Sequence, residues 1–287
     1  AREAGVGSVS YVGVPKTVRS LDQRIRNLAG GADLALRRRT SMALVVVSQM
    51  LPEGAIKGCS AMALRYGRNT RFTQDVDAAR VRSLDLFQGD FEEFLAVGWE
   101  GFTGRLIKRT APKPPAVPAA YVMQPFEVKL DYQGRSWCTV KFELGHNELG
   151  DADEPEYQLA ADLVDLFTEV GLEAPRPVPV LRAEHQIAQK LHALSVDGSE
   201  RARDLVDLQL LEQRENLDPA AVAATCARLF RYRQQQAWPP AVQAGAGWDT
   251  LYLEAAEGLS VLPTVQEAVT WVNEFIERIA AEEALLT

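Results

Sequence analysis

Two short runs hold residue types suited to chemistry: Lys57-Gly58-Cys59-Ser60, and Arg71-Phe72-Thr73-Gln74-Asp75-Val76-Asp77. In a β-strand, residues i and i+2 point to the same face, so Asp75 and Asp77 would present two carboxylates about 7 Å apart along the chain. Magnesium prefers hard oxygen ligands and is commonly held by one or two carboxylates together with substrate phosphates, which makes such a pair a partial metal site completed by a nucleotide. Upstream, Ile56 and Lys57 would end a strand and Gly58 would let the backbone turn. Ser60 would stand at the N-cap or first turn of a helix Ala61–Tyr66, where free N–H groups and a hydroxyl can hold a phosphate. Gly67 reads as the helix stop. A lone Asp-x-Asp is by default a solvated surface pair; the order strand, Gly-x-Ser, helix, Asp-x-Asp strand gives it the context of metal-dependent nucleotidyl transfer. Thr73 is either a further hydroxyl on that strand face or an ordinary strand threonine.

The Gly-Cys-Ser turn followed by Asp-Val-Asp resembles the first motif of the polymerase-β-type nucleotidyltransferase superfamily. The longer string IKGCSAMALRYGRNTRFTQDVD is similar to the AbiEii family of nucleotidyltransferase toxins, the MenT-like type IV toxins. In that family a Lys-Gly-Gly-Ser/Thr turn leads to an arginine, a serine or threonine, and Asp-x-Asp. Cys59 stands where the family has its second glycine. The resemblance assigns Lys57, Gly58, Ser60, Arg71 and Thr73 to the nucleotide, and Asp75 and Asp77 to metal and catalysis.

A second stretch resembles the same family: Glu184–Leu194, containing Lys190, and Arg201-Ala202-Arg203-Asp204-Leu205-Val206-Asp207-Leu208. On a helix, Ala183, Ile187, Lys190 and Leu194 share one apolar stripe, and Asp204 lines up with Leu208 and Leu211. Charges on core-facing stripes are costly unless they are paired or solvated in a cleft. Two readings follow from the residues: a buried Lys190–Asp204 ion pair joining two helices, or a Lys190 that faces the nucleotide phosphates while Asp204 orients it. The two are compatible, and the resemblance places both residues in the catalytic set.

The superfamily carries a third carboxylate on a later strand. A hairpin is expected from Phe126 to Leu130, a turn at Tyr132 to Arg135 around Gly134, and Trp137 to Leu144. Within it, Val140 and Phe142 alternate with Lys141 and Glu143. The segment VKFEL resembles the family strand that ends in an acid, which points to Glu143 as the third metal ligand, with Asp131 and Glu127 as alternatives.

Composition fits a cytoplasmic enzyme. The 287 residues are 47% hydrophobic and 24% charged, enough to bury a large core in one or two domains. No apolar run suits a membrane span or a signal peptide. Cys59, Cys138 and Cys226 are few, odd in number and widely spaced, as expected of free thiols in a reducing compartment. With His146, His185 and His192 they form no zinc spacing. The net charge of −8 argues against broad coating of nucleic acid. Local patches remain: Arg37–Arg39 foremost, then Lys108-Arg109 with Lys113, and Arg228 with Arg231 and Arg233.

These placements predict an α+β fold: a nucleotidyltransferase core of mixed sheet flanked by helices in residues 1–155, and a helical lobe in residues 156–287 completing an active site in a cleft. Helices are expected at 17–51 (two), Asp85–Ala96, Gln158–Val170, around Lys190, Pro219–Tyr232 and Val265–Leu285. Pro112–Pro118 and Pro175–Pro179 read as extended connectors, and Asp151–Pro155 as an acidic loop. The resemblance implies a toxin that uses Mg2+ (or Mn2+) to transfer a nucleotide from an NTP to tRNA or another RNA acceptor, with a cognate antitoxin as partner. Nucleotidylation of a protein or small molecule is the alternative, and a silent binding module is a further one.

Overall fold

The computed structural model describes residues 11–112 and 122–286; Lys113 and most of the proline-rich connector lie outside the described residues. Its secondary structure is a mixture of helices and strands, and its contacts divide the chain into two compact units, 1–68 with 72–180 and 69–71 with 181–287.

In the first unit, Thr17 caps helix α1 (Val18–Ala29) by accepting a hydrogen bond from the Ser20 N–H. Helix α2 (Ala32–Gln49) ends in a run from Met42 to Ser48 that is buried on every side. Strand β1 (Gly54–Lys57), helix α3 (Gly58–Tyr66) and strand β2 (Asp75–Arg80) follow, then helix α4 (Leu84–Val97), capped by Ser83. Strands β3 (Phe102–Lys108), β4 (Gln124–Tyr132) and β5 (Arg135–Gly145) form a meander. Strand β6 (Glu156–Gln158), helix α5 (Ala161–Glu169) and strand β7 (Val178–Val180) complete the unit. The seven strands make one mixed sheet in the order β3-β4-β5-β2-β1-β7-β6, with β2–β5 and β1–β7 parallel.

The first compact unit continues past residue 155 to Val180. β6 and β7 join the sheet by pairing with each other and with β1. Phe167 of α5 lies fully buried in the same core as Phe142 and Val180. Three-residue strands carry too little pattern to be separated from connectors by sequence alone. β3 was not expected either. Gly104 in its middle looks like a breaker, yet it sits where α4 packs closely on the strand: a Cβ there would come within 2.9 Å of a Leu95 methyl.

Phe142 shows how the sheet face is fixed. It is fully buried against Phe87 and Phe91 of α4, a burial worth about 1.5–3 kcal/mol per large apolar side chain. A one-residue slip of β5 would put Phe142 in water and drive Glu143 into the aromatic layer, so the apolar pattern dictates which side the carboxylate takes.

The second unit is helical: α6 (Ala183–Leu194), α7 (Arg203–Arg214), α8 (Pro219–Arg233), α9 (Trp248–Ala256) and α10 (Val265–Leu286). Asp218 caps α8, with Pro219 at its first position. Its core includes a closed polar ring: Gln209 Nε2 donates to the Tyr252 hydroxyl, which donates to the Leu262 carbonyl, and the Leu262 N–H returns to Gln209 Oε1. Every buried polar group in that ring has a partner, as a packed interior demands. Among the described residues, no helix is long and apolar enough to cross a membrane.

Candidate active site

On the first unit, strand register assembles a charged row. Lys57 of β1 pairs with Asp77 of β2, and Asp77 pairs with Glu143 of β5; one row along, Asp75 pairs with Lys141. Paired residues on neighbouring strands share a face at about 4.8 Å spacing, so Asp75, Asp77 and Glu143 stand together on the face opposite Val76 and Phe142. Asp75 keeps 52% of its side chain exposed, and its ion pair with Lys141 is a loose 3.9 Å.

Gly58 sits at the turn from β1 into α3 with φ +61°, and a Cβ there would lie 2.7 Å from Asp77 Oδ2. The turn therefore approaches the Asp77 carboxylate as closely as only glycine permits. Helix α3 starts at Gly58, earlier than expected, with Lys57 as its N-cap and no side-chain cap. Ser60 consequently falls in the first turn and is fully buried. Its Oγ donates to the Lys57 carbonyl at 2.9 Å and accepts from the Asp77 N–H at 3.0 Å. The hydroxyl expected to hold phosphate instead ties the turn to the Asp-x-Asp strand. Thr73 lies before β2 begins, and its hydroxyl donates to the Asp75 carbonyl at 3.3 Å.

The donor set consists of carboxylate oxygens on an accessible face, which suits a hard divalent cation such as Mg2+. Among the described residues no three His, Cys, Asp or Glu side chains close into a full metal cage. A cation that shares its ligands with water and a triphosphate needs only one or two of them, so the residues fit. Of the alternatives to Glu143, Glu127 lies beyond Lys141 in the Asp75 row, and Arg109 holds it at 2.6 Å and below the ordinary carboxylate range. Asp131 pairs with Ser136 at the far end of the hairpin.

The second unit holds the other charged motif. Lys190 of α6 is buried; its ammonium donates to Asp204 at 2.7 Å and Asp207 at 2.6 Å. Arg71, which belongs to this unit, grips Asp207 with two hydrogen bonds of 2.9 Å and lies 3.9 Å from Asp204. Two cations and two anions balance. Burial alone would lower the Lys190 pKa, but Asp204 and Asp207 reverse that and hold the ammonium well above the ordinary lysine value. Burial would raise Asp207, but Lys190 and Arg71 hold it below the usual carboxylate range. The ion-pair reading of Lys190 and Asp204 thus describes their contacts, enlarged by two members. Asp207 is wholly buried. Its i, i+3 spacing from Asp204 puts the two carboxylates on adjoining faces of α7, within reach of one ammonium.

Arg37–Arg39 does not form an open basic patch. Arg39 bonds Asp22 and the Trp137 carbonyl, and Arg37 lies over the Phe72 ring. The three cysteines are free thiols, and burial pushes the Cys138 thiol up to about 11.

A family model described as "Nucleotidyl transferase AbiEii toxin, Type IV TA system" matches residues 46–277. No curated protein matches the chain. Among solved structures, it is similar to MenT4, the nucleotidyltransferase toxin Rv2826c from Mycobacterium tuberculosis H37Rv. The two are 16% identical over 92% of this chain and 98% of that one, with a TM-score of 0.49.

Proposed function

Because this chain belongs to the AbiEii family of nucleotidyltransferase toxins of type IV toxin–antitoxin systems, we propose that it transfers a nucleotide from an NTP to the 3′ end of tRNA and so blocks translation. The observation that carries this reading is the alignment of Asp75, Asp77 and Glu143 on one sheet face beside the Gly58 turn. Those three carboxylates would hold Mg2+ or Mn2+, which when bound neutralises charge on the triphosphate and polarises the attacking hydroxyl.

The chain's own residues position the reactants. The N–H groups that open α3 at Gly58 and Cys59 offer an anion site with the positive end of the helix dipole behind it. Lys57, on the same face as Asp77, adds a point charge for phosphate. Ser60 keeps that turn in register with the carboxylates. In the second unit, Lys190, Asp204 and Asp207 fix the guanidinium of Arg71 in one orientation. A fixed, pre-oriented charge costs little reorganisation when a transition state forms. The setting is the cytoplasm, where tRNA and a cognate antitoxin protein are the partners.

The test is incorporation of each of four labelled NTPs into total tRNA with magnesium, using Asp75→Ala as control. Label on tRNA from the wild type alone is expected. Label on protein instead would replace the RNA acceptor with a protein hydroxyl, and equal labelling by Asp75→Ala would remove the carboxylate face from the reaction.

A further inference from the structure

Residues 219–247 contain Arg228, Arg231 and Arg233 and not one acidic residue, in a chain whose net charge is −8. The stretch covers α8 and the segment after it, and it belongs to none of the motifs assigned above. At the C-terminal end of α8 the structure has an open cavity of about 550 Å³ lined by Phe230, Arg231, Gln234, Gln235, Gln236 and Trp238. That volume lies within the range of small-ligand pockets and exceeds what one nucleobase needs.

The lining is specific in kind. Phe230 is buried in the lining, and the Trp238 ring packs against it with centroids 5.2 Å apart. Gln236 donates to the His192 carbonyl and the Ser195 hydroxyl, both at 2.7 Å, which pins the segment between α8 and Trp238 to α6. Gln234 and Gln235 are exposed on the rim. Arg231 is exposed, and among the described residues no hydrogen bond or ion pair engages its side chain. Arg228, one turn earlier, and the exposed Tyr232 extend the same helical face.

We propose that this cavity is a binding site for an unpaired nucleotide of the RNA acceptor, with the base against Trp238, the amides of Gln234 and Gln235 on its edge, and Arg231 and Arg228 on the flanking phosphates. Recognition of single-stranded RNA combines aromatic platforms, amides that match base edges and arginines that meet the backbone, and this surface supplies all three. The helix end would by itself repel a phosphate, because its dipole places about half a negative charge there. Arg231 and Arg233 in the last turn reverse that sign with two full charges. An apolar peptide would want an apolar rim, and here the rim is arginine and glutamine. The site rests on the RNA-acceptor reading given above, which it deepens by locating a contact remote in sequence from the carboxylate motif.

The experiment uses the full chain and a fluorescein-labelled tRNA transcript in EDTA without NTP, so that the carboxylate face takes no part. Binding is followed by anisotropy across a salt series for the wild type, Arg228→Ala/Arg231→Ala, and Gln235→Ala. The double variant should bind at least tenfold more weakly, and its slope of log K against log salt should fall by roughly one per arginine removed. Gln235→Ala should weaken binding severalfold with the salt slope unchanged. In turnover, the KM for tRNA should rise in the double variant while the KM for NTP stays fixed. A double variant with wild-type affinity and slope overturns the site and leaves the RNA reading standing. A wild type that binds no tRNA and labels protein overturns both.

Discussion

The two charged regions use the same side chains under opposite conditions. On the sheet, Asp75 and Glu143 are exposed beside the half-buried Asp77, and the ion pair of Asp75 with Lys141 is a loose 3.9 Å. Among the helices, Asp204 and Asp207 are buried and gripped at 2.6 to 2.9 Å by Lys190 and Arg71. An exposed ion pair is worth at most about 1 kcal/mol. Removing one partner of a buried pair costs about 3–5 kcal/mol, because it strands the other charge. Asp75 is therefore only loosely constrained by its ion pair, while the helical cluster is committed to holding its own geometry.

Mutations should separate the regions sharply. Asp75→Ala is expected to lower turnover at least about a thousandfold, some 4 kcal/mol of barrier, with the urea midpoint unmoved; a large shift in midpoint would make the sheet face structural as well. Lys190→Met should instead lower stability by about 3–5 kcal/mol, and Lys190→Met/Asp204→Leu should recover much of it, since the bidentate Arg71–Asp207 pair survives. A Lys190→Met protein as stable as the wild type would erase the contrast.

Acid should find the same difference. The Asp207 carboxyl is held low by its cations, so its contribution is complete above the ordinary carboxylate pKa near ~4 and disappears as pH falls through the lower folded value. Lys190 is held high, so its contribution is complete below about pH 10 and disappears only as pH rises through its folded value. Urea midpoints taken from pH 7 to pH 3 should fall more steeply for the wild type than for Asp207→Asn; parallel curves would remove Asp207 from the acid limb. Smallest of all is Ser60→Ala, which leaves the Asp77 N–H without its acceptor and should cost about 1–3 kcal/mol of stability together with a severalfold loss of turnover. Unchanged values for both would show that the hydroxyl bridge does not govern the turn.

Much of this is written in the sequence. The Asp-x-Asp strand and the hairpin follow from alternation, because one buried side chain between two charged ones fixes the face; Glu143 was pointed to by the resemblance of its segment to the family strand, and its register beside Asp77 came from the fold. The fate of Ser60 was not legible. A helix that begins three residues earlier, at Gly58, turns the expected phosphate-facing hydroxyl into a buried bridge, and helix ends are the weakest part of any sequence pattern. The lysine helix was legible in part: its stripe showed that Lys190 faced a core, and only the fold showed that Asp207 and Arg71 met it there. The arginines misled for a related reason. Arg37–Arg39 is the denser run, yet Arg39 turns inward to Asp22 and the Trp137 carbonyl, whereas Arg231 on α8 stays in solvent.

The Ser60 hydroxyl also sets a length. Its Oγ spans from the carbonyl that ends β1 to the amide of Asp77 in two hydrogen bonds of 2.9 and 3.0 Å, so the opening of α3 and the Asp77 strand cannot drift apart independently. In the proposed reaction, the phosphate-facing turn and the metal-facing strand would thereby be set at one spacing in advance, with a single buried oxygen as the gauge for both.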